Sequence, residues 1–439
     1  MDNNFDTIVA IITPIATSSV GIIRISGDMS LKIASEIFSK KIIQKQINYG
    51  FIKNNDEIID EVILLYFKAP KSYTGEDVIE IQCHGNPSIL NTVLELILQK
   101  GARPANRGEF TKRAFLNHRI DLTQAESVLD IIHAKTQKSA SDALSNLGGY
   151  LKNKINEIKK DLIELYSRLI ASIDFPEDVS DVDTEYVVSI CNDKILQIDE
   201  ILNNAKSHDF IKDGFSISLI GAPNVGKSSL FNALLSYNRA IVTDVEGTTR
   251  DTIKECINLD GFLLNFIDTA GIRDKSKADK VEVIGIENSI SSLNSSDIVL
   301  FLFEHDLSEI PFELDKLNKP YLLIRTKYDL NSYENQENII DISSTTNFGL
   351  DKLKAEILKI IRNLIPNDTN YTTNKRQQTC LLRAKEALTC ALQTTNDLNI
   401  TDLIAQDIKL ALLALDEITG EVLTDKILDN IFDNFCIGK

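Results

Sequence analysis

The chain has 439 residues, 43% of them hydrophobic, and a formal net charge of −17. The length sets a prior of about two to four domains with proper cores, and the acidity excludes a protein that coats nucleic acid through a broad basic surface. Six cysteines, Cys83, Cys191, Cys256, Cys380, Cys390 and Cys436, lack C-x-x-C spacing, which excludes a disulfide framework or zinc site and suits a reducing cytoplasm.

Residues 1 to about 118 open on Asp2 and Asp6 without a basic n-region, so no signal peptide is expected. Short apolar runs follow, Val20–Ile25, Val62–Phe67 and Val78–Gln82, with helical patterns over 30–38 and 88–99. This reads as α+β. Arg103, Arg107, Lys112, Arg113 and Arg119 form a local basic cluster, either an anion patch or a solvated surface. From about 120 to 208 the pattern is helical, amphipathic from Leu151 to Ile173 and broken by the acidic turn Asp174–Asp178. Residues 213 to about 362 alternate strand and helix, the signature of a parallel sheet. Residues 375–432 are helical again. No apolar run approaches the ~18 residues of a membrane span; Ile298–Phe303 is strand length. The economical reading is a helical domain split by an inserted nucleotide domain, with boundaries 1–118, 119–212, 213–365 and 366–439.

The inserted segment carries a phosphate loop. Gly221–Ser229 matches G-x-x-x-x-G-K-S between the apolar run Phe215–Ile220 and a helical pattern. Gly221 and Gly226 let the backbone close around an anion, so that the N–H groups of Asn224 to Ser229 and the helix N-terminus face phosphate oxygens. Lys227 supplies charge at the β/γ-phosphates and Ser228 a hydroxyl to Mg²⁺. Gly247-Thr-Thr-Arg-Asp251 follows, with Thr249 as the switch threonine that reaches Mg²⁺. The strand Leu263–Ile267 ends in Asp268-Thr269-Ala270-Gly271, where Asp268 can hold the Mg²⁺ water shell and Gly271 can donate to the γ-phosphate. The strand Tyr321–Arg325 leads to Thr326-Lys327-Tyr328-Asp329. The Asp329 carboxylate can accept both N1–H and the exocyclic amine of guanine, a donor pair adenine lacks, which argues for GTP over ATP. Ser343 and Ser344 end a last strand near the base. Ile272 stands where many GTPases carry a water-orienting Gln, so another group must act. Glu282 and Glu287 are candidates, with solvated helix carboxylates as the plain alternative.

These motifs in order, with V-E-x-I-G-I-E at 281–287 and Cys436-Ile-Gly-Lys439, resemble the potassium-activated tRNA-modification GTPases, the MnmE/TrmE family. The resemblance covers essentially the whole chain and includes Asp6–Val9, Gly21–Gly27, Tyr73–Asp77, Gly108–Phe110 and Ala114–Asn117. It implies a multidomain α/β and all-α fold: an α+β folate-binding dimerisation domain, a discontinuous helical domain and an inserted Ras-like P-loop G domain. It implies a homodimer in the cytoplasm, working with a flavin- and NADH-dependent partner that carries much of the tRNA contact, away from any membrane. The pair would attach an aminomethyl-type group, such as (carboxymethyl)aminomethyl, to C5 of the wobble uridine, position 34. A 5-formyl- or methylene-tetrahydrofolate would supply the one-carbon unit.

The resemblance also implies site residues. Asn224, Thr243, Val245 and Thr248 would hold K⁺; Asn224 is otherwise a turn former after Pro223. Asp244, Glu246, Gly247 and Thr269 would complete the GTP contacts. Glu282 would be the general base, Lys227 the phosphate lysine and Cys436 a reactive thiol. For Cys436, a prenylated C-a-a-X cysteine and a buried structural thiol are the alternatives. Arg24, Glu80, Arg119 and Lys439 would bind folate; for Glu80 the plain alternative is the exposed face of its strand. Three positions depart from the family pattern. Thr326 replaces the usual Asn, Ser344 the usual Ala and Arg119 the usual Lys. A ribosome-assembly GTPase and a folate-dependent methyltransfer protein with a vestigial switch are the competing functions.

Overall fold

The structure, a computed structural model, describes residues 6–237, 255–267, 293, 296–307, 317–330, 336–365, 371–397, 400–422 and 424–439. The chain forms two compact units. One comprises Met1–Leu129, Asn146–Ile195 and Thr379–Lys439; the other comprises Asp130–Ser145 and Leu196–Gln378.

The first unit is built on a sheet of β1 (Ile8–Ile11), β2 (Ser18–Ser26), β3 (Asn48–Asn54), β4 (Glu57–Phe67), β5 (Val78–Gly85) and β6 (Arg103–Pro104). The spatial order is β3-β4-β5-β2-β1-β6, antiparallel except for β1 beside β6. Two helices, α1 (Ser30–Ile37) and α2 (Pro87–Gln99), fall on the helical patterns in the sequence. Pro87 suits the first turn of α2, and the Asn86 side chain caps it by accepting the Ser88 N–H. Side chains alternate along a strand. Ile23, Ile25, Ile79, Ile81 and Cys83 therefore share one face and pack with Ile33, Leu90 and Val93 of the helices. The intervening Arg24 and Glu80 lie on the other face.

Further helices follow: α3 (Glu109–Leu116), α4 (Leu122–His133), α5 (Gln137–Leu147), α6 (Tyr150–Asp174) and α7 (Thr184–Asp213). On α6, Leu151, Ile155, Ile158, Leu162, Leu165 and Leu169 are buried, a helical period of three and four. The acidic turn at 174–178 separates α6 from α7, as the sequence predicts. Buried Lys159 of α6 pairs with Asp416 and Glu421. The chain's last residues return to the start of α3: Phe110 N–H donates to Lys439 O at 3.2 Å, and Phe432 and Phe435 pack with Leu122 and Ala125.

The second unit holds β7 (Phe215–Gly221), β8 (Glu255–Leu259), β9 (Phe262–Ile267), β10 (Ile298–Phe303), β11 (Tyr321–Arg325) and β12 (Ile339–Asp341). Their order is β12-β11-β10-β7-β9-β8, all parallel except the β8–β9 hairpin. Helices α8 (Lys227–Tyr237) and α9 (Leu350–Leu364) contribute Leu230, Phe231, Leu353 and Ile357 to the main core. A smaller core of Ile220, Val299, Phe301 and Phe303 lies on the alternate side chains of the same strands. All six residues of β10 are buried, as a strand covered on both faces requires. Three helices, α10 (Lys375–Asp397), α11 (Thr401–Thr419) and α12 (Asp425–Phe432), complete the chain. Among the described residues, no helix is long and apolar enough to cross a membrane.

Candidate functional site

Ligands of open α/β sheets bind outside the carboxyl ends of the strands. In the second unit that edge carries the phosphate loop between β7 and α8. Gly221 must be glycine, because a β-carbon there would stand 2.3 Å from the Leu302 carbonyl oxygen of β10. Asn224 and Gly226 are left-handed, with φ of 63° and 106°. Glycine adopts that region freely, and asparagine more readily than most residues. Lys227 Nζ donates to the carbonyls of Gly221 at 2.7 Å and Ala222 at 3.0 Å. Ser228 and Ser229 lie in the first turn of α8, at the positive end of the helix dipole, which favours an anion.

The Thr326–Asp329 motif follows β11, two strands away. Thr326 is buried; its N–H donates to Phe303 O at 2.9 Å and its Oγ1 to Val225 O at 2.6 Å. The hydroxyl thus ties the motif to the phosphate loop across 101 residues. Tyr328 N–H donates to Ile342 O at 3.1 Å, and the Tyr328 ring stacks on Phe348. Beneath them a buried Arg325–Asp341 pair, 2.6 Å apart, joins β11 to β12. Asp329 is exposed, Ser343 is buried and Ser344 is partly buried. Lys327, at φ 57°, sends Nζ to Glu304 Oε2 at 2.5 Å. Sequence reasoning missed Glu304. Its signal is its place as the first residue past the apolar run 298–303, at the ligand-facing end of a parallel strand.

Thr243, Asp244, Val245, Glu246, Gly247, Thr248, Thr249, Asp268, Thr269, Ala270, Gly271 and Glu282 lie outside the described residues, and so do Ile272 and Glu287.

In the first unit, β2 and β5 pair so that Arg24 stands directly opposite Glu80. Arg24 Nη2 and Glu80 Oε1 are 2.8 Å apart, with side chains 11% and 17% exposed. Arg24 Nη1 is buried and has no hydrogen-bond partner among the described residues. The guanidinium lies 4.9 Å from the centroid of the Tyr73 ring; that of Arg119 lies 5.2 Å from the same ring. Glu80, Tyr73 and Arg119 line a cleft of about 340 Å³. Burial holds the Lys439 ammonium below its ordinary range; Arg24 adds to the depression, while Glu80 and Cys436 oppose it. Arg24, Glu80, Arg119 and Lys439 therefore gather around one region, although the first and the last are 415 positions apart in the chain. Cys436 is exposed.

The residues that match known families and proteins cover the same parts of the chain. Residues 7–119 match the model described as GTP-binding protein TrmE N-terminus, and 122–436 the MnmE helical domain. Three proteins named tRNA modification GTPase MnmE align with 99% of this chain. They come from Desulforamulus reducens, Streptococcus thermophilus and Pseudothermotoga lettingae, at 42%, 40% and 37% identity over 99%, 99% and 100% of their own lengths. The chain belongs to the MnmE family of tRNA modification GTPases. A solved structure of Era from Aquifex aeolicus bound to GDP.AlF4- is 25% identical, covers 40% of this chain and 67% of that one, and has a TM-score of 0.26.

Most of the basic cluster at 103–119 is ion-paired within the fold. Arg113 is 1% exposed and pairs with Asp6, Glu76 and Glu109. Arg103 pairs with Asp6 and Glu109, and Lys112 with Asp429. Burial pushes the Glu109 carboxyl up, but hydrogen bonds from Arg103, the Asn106 N–H and Arg113 outweigh it and hold the group at about 2. Arg103, Lys112 and Arg113 are thus ion-paired; only Arg107 and Arg119 of the five are exposed. Carboxylates on Arg103, Lys112 and Arg113 make those three a structural network, and leave Arg107 and Arg119 as the exposed cations of the cluster.

Proposed function

We propose that this member of the family is the GTP-hydrolysing subunit of a complex that adds a (carboxymethyl)aminomethyl group to C5 of the wobble uridine, position 34, of certain tRNAs. The observation that carries the reading is identity of 37–42% to tRNA modification GTPases over 99% of the chain. The tether from Thr326 to the phosphate loop supports it, because one hydrogen bond couples base recognition to phosphate binding. In hydrolysis, Lys227 leaves the Gly221 and Ala222 carbonyls for the β/γ-phosphates, and Asp329 accepts from guanine. Glu282 orients the attacking water in place of the missing Gln. Bound Mg²⁺ and K⁺ would stabilise charge on the phosphates. Ser228 and Thr249 are the residues to hold the first; Asn224, Thr243, Val245 and Thr248 offer the oxygen donors that a hard monovalent cation takes.

A tetrahydrofolate bound in the N-terminal cleft would supply the one-carbon unit. The residues fit such a group. The cleft volume lies in the usual ligand range, and the unpartnered Arg24 Nη1 is a buried donor awaiting an acceptor. Glu80 accepts from a pterin amide and amine, while Arg119 and Lys439 offer cations to a glutamate tail. Cys436, exposed three residues before Lys439, is the nearby thiol. The chain acts as a cytoplasmic homodimer with a flavin- and NADH-dependent partner that carries most of the tRNA contact, consistent with a charge of −17.

Nucleoside analysis of tRNA from cells lacking the protein tests the reading. Loss of the C5 substituent is expected; intact wobble uridines would overturn it and favour a ribosome-assembly role. Hydrolysis measured in K⁺ and in Na⁺ tests the cation, with equal rates removing K⁺ from the mechanism.

A further inference from the structure

We infer that Glu304 positions Lys327 for guanine-nucleotide binding. It is the residue that fixes where the ammonium of the base-recognition lysine sits. The inference rests on the chain binding GTP. Three backbone contacts hold the motif: Thr326 N–H to Phe303 O, Tyr328 N–H to Ile342 O, and Leu330 N–H to Lys327 O at 3.0 Å. The Thr326 hydroxyl adds the fourth, to the phosphate loop. These contacts set the main chain of Lys327 in a left-handed conformation and leave its four-carbon stem to be placed by something else. Glu304 does this from the end of β10, the strand that lies between β7 and β11.

The register explains how this residue comes to stand beside the motif. Leu302 pairs with Gly221 on one side and Phe303 with Arg325 on the other. Glu304 is the next residue, level with Thr326 at the strand ends. Its Oε2 is 2.5 Å from Lys327 Nζ, and the two side chains are only 25% and 35% exposed. A lysine stem has several rotatable bonds, and confining it before the base arrives removes that cost from binding. Lys327 is thereby held at the base site while Lys227 serves the phosphates. An electrostatic pair at this exposure contributes modestly, so the effect is one of affinity and not of chemistry.

The test uses the full chain and the variants Glu304→Gln, Glu304→Asp, Lys327→Met and the Gln/Met double. Titration with a fluorescent GDP analogue and steady-state GTP hydrolysis are the readouts. Glu304→Gln should raise Kd and KM about three- to tenfold, with kcat moving far less. Glu304→Asp should recover part of the affinity. The double variant should bind no worse than Lys327→Met alone, because the carboxylate acts through the lysine. Unchanged or tighter binding by Glu304→Gln, or additive losses in the double variant, would overturn the inference. If wild type itself binds no guanine nucleotide, the functional reading fails first, so the two failures are distinguishable. Far-ultraviolet dichroism screens each variant for folding, and the Asp variant keeps the test open should the Gln variant unfold.

Discussion

Thr326→Val removes one hydroxyl from a buried position and leaves the shape of the side chain nearly unchanged. Thr326 is 3% exposed, and its Oγ1 donates to Val225 O at 2.6 Å, with Phe303 O 3.3 Å away. Valine puts a methyl where the donor was, so the Val225 carbonyl loses that partner inside the protein. Loss of a buried partner costs about 1–3 kcal/mol. Val225 belongs to the phosphate loop, so part of the loss falls on the loop's readiness for nucleotide. If about 1.4 kcal/mol of it does, GTP and GDP affinity both fall about tenfold. Nucleotide binding should be read by titration with a fluorescent GDP analogue. Stability should be read by urea unfolding followed by circular dichroism, since the chain has no tryptophan. Thr326→Ser and Thr326→Asn retain a donor and should recover most of both. A Thr326→Val protein with unchanged midpoint and unchanged Kd would refute the argument that this hydroxyl links the two halves of the site.

Gly221→Ala should abolish nucleotide binding and lower the thermal midpoint, because the new β-carbon meets a backbone oxygen at 2.3 Å that no rotamer change can clear; normal GTP binding would contradict this. Acid should destabilise the first unit through Glu109. Its folded value is about 2 against an ordinary 4.5, so the stability it contributes is present above about pH 4.5 and is lost as pH falls toward 2. Glu109→Gln should flatten that part of a stability–pH curve while lowering stability at neutral pH, and an unchanged curve would exclude Glu109 as the cause. Burial pushes the Cys83 and Cys191 thiols up to about 12, whereas Cys390 and Cys436 are exposed. Iodoacetamide on the native protein near about pH 8 should therefore label Cys390 and Cys436, and reach Cys83 and Cys191 only in urea. Mass spectrometry showing early labelling of Cys83 would count against the packed sheet face.

Local chemistry was legible wherever it is written in consecutive residues. The strands at 215–220, 263–267, 298–303 and 321–325 were readable because apolar residues dominate each of them, without a break at 298–303 where both faces are buried. The phosphate loop was readable because glycine spacing and Lys227 impose it. Glu304 was not, since a single acidic residue after a strand looks like any solvated carboxylate until the strand order sets it beside β11. The basic cluster at 103–119 misled for the same reason. Charge can be counted from sequence, but the partners of Arg113 lie at residues 6, 76 and 109.

The sequence by itself determined the family, the nucleotide chemistry and the order of the elements, because short motifs and hydrophobic periods are local properties of the chain. Only the tertiary structure decided which charges meet. The antiparallel register of β2 and β5 sets Arg24 against Glu80, and the return of the last residues to α3 brings Lys439 near both. Parallel pairing of β7, β10 and β11 likewise puts Val225, Glu304 and Thr326 at one edge. Each of these groups is costly to bury alone and stable when paired, and pairing across tens or hundreds of residues is a property of strand register and chain return that no local spacing encodes.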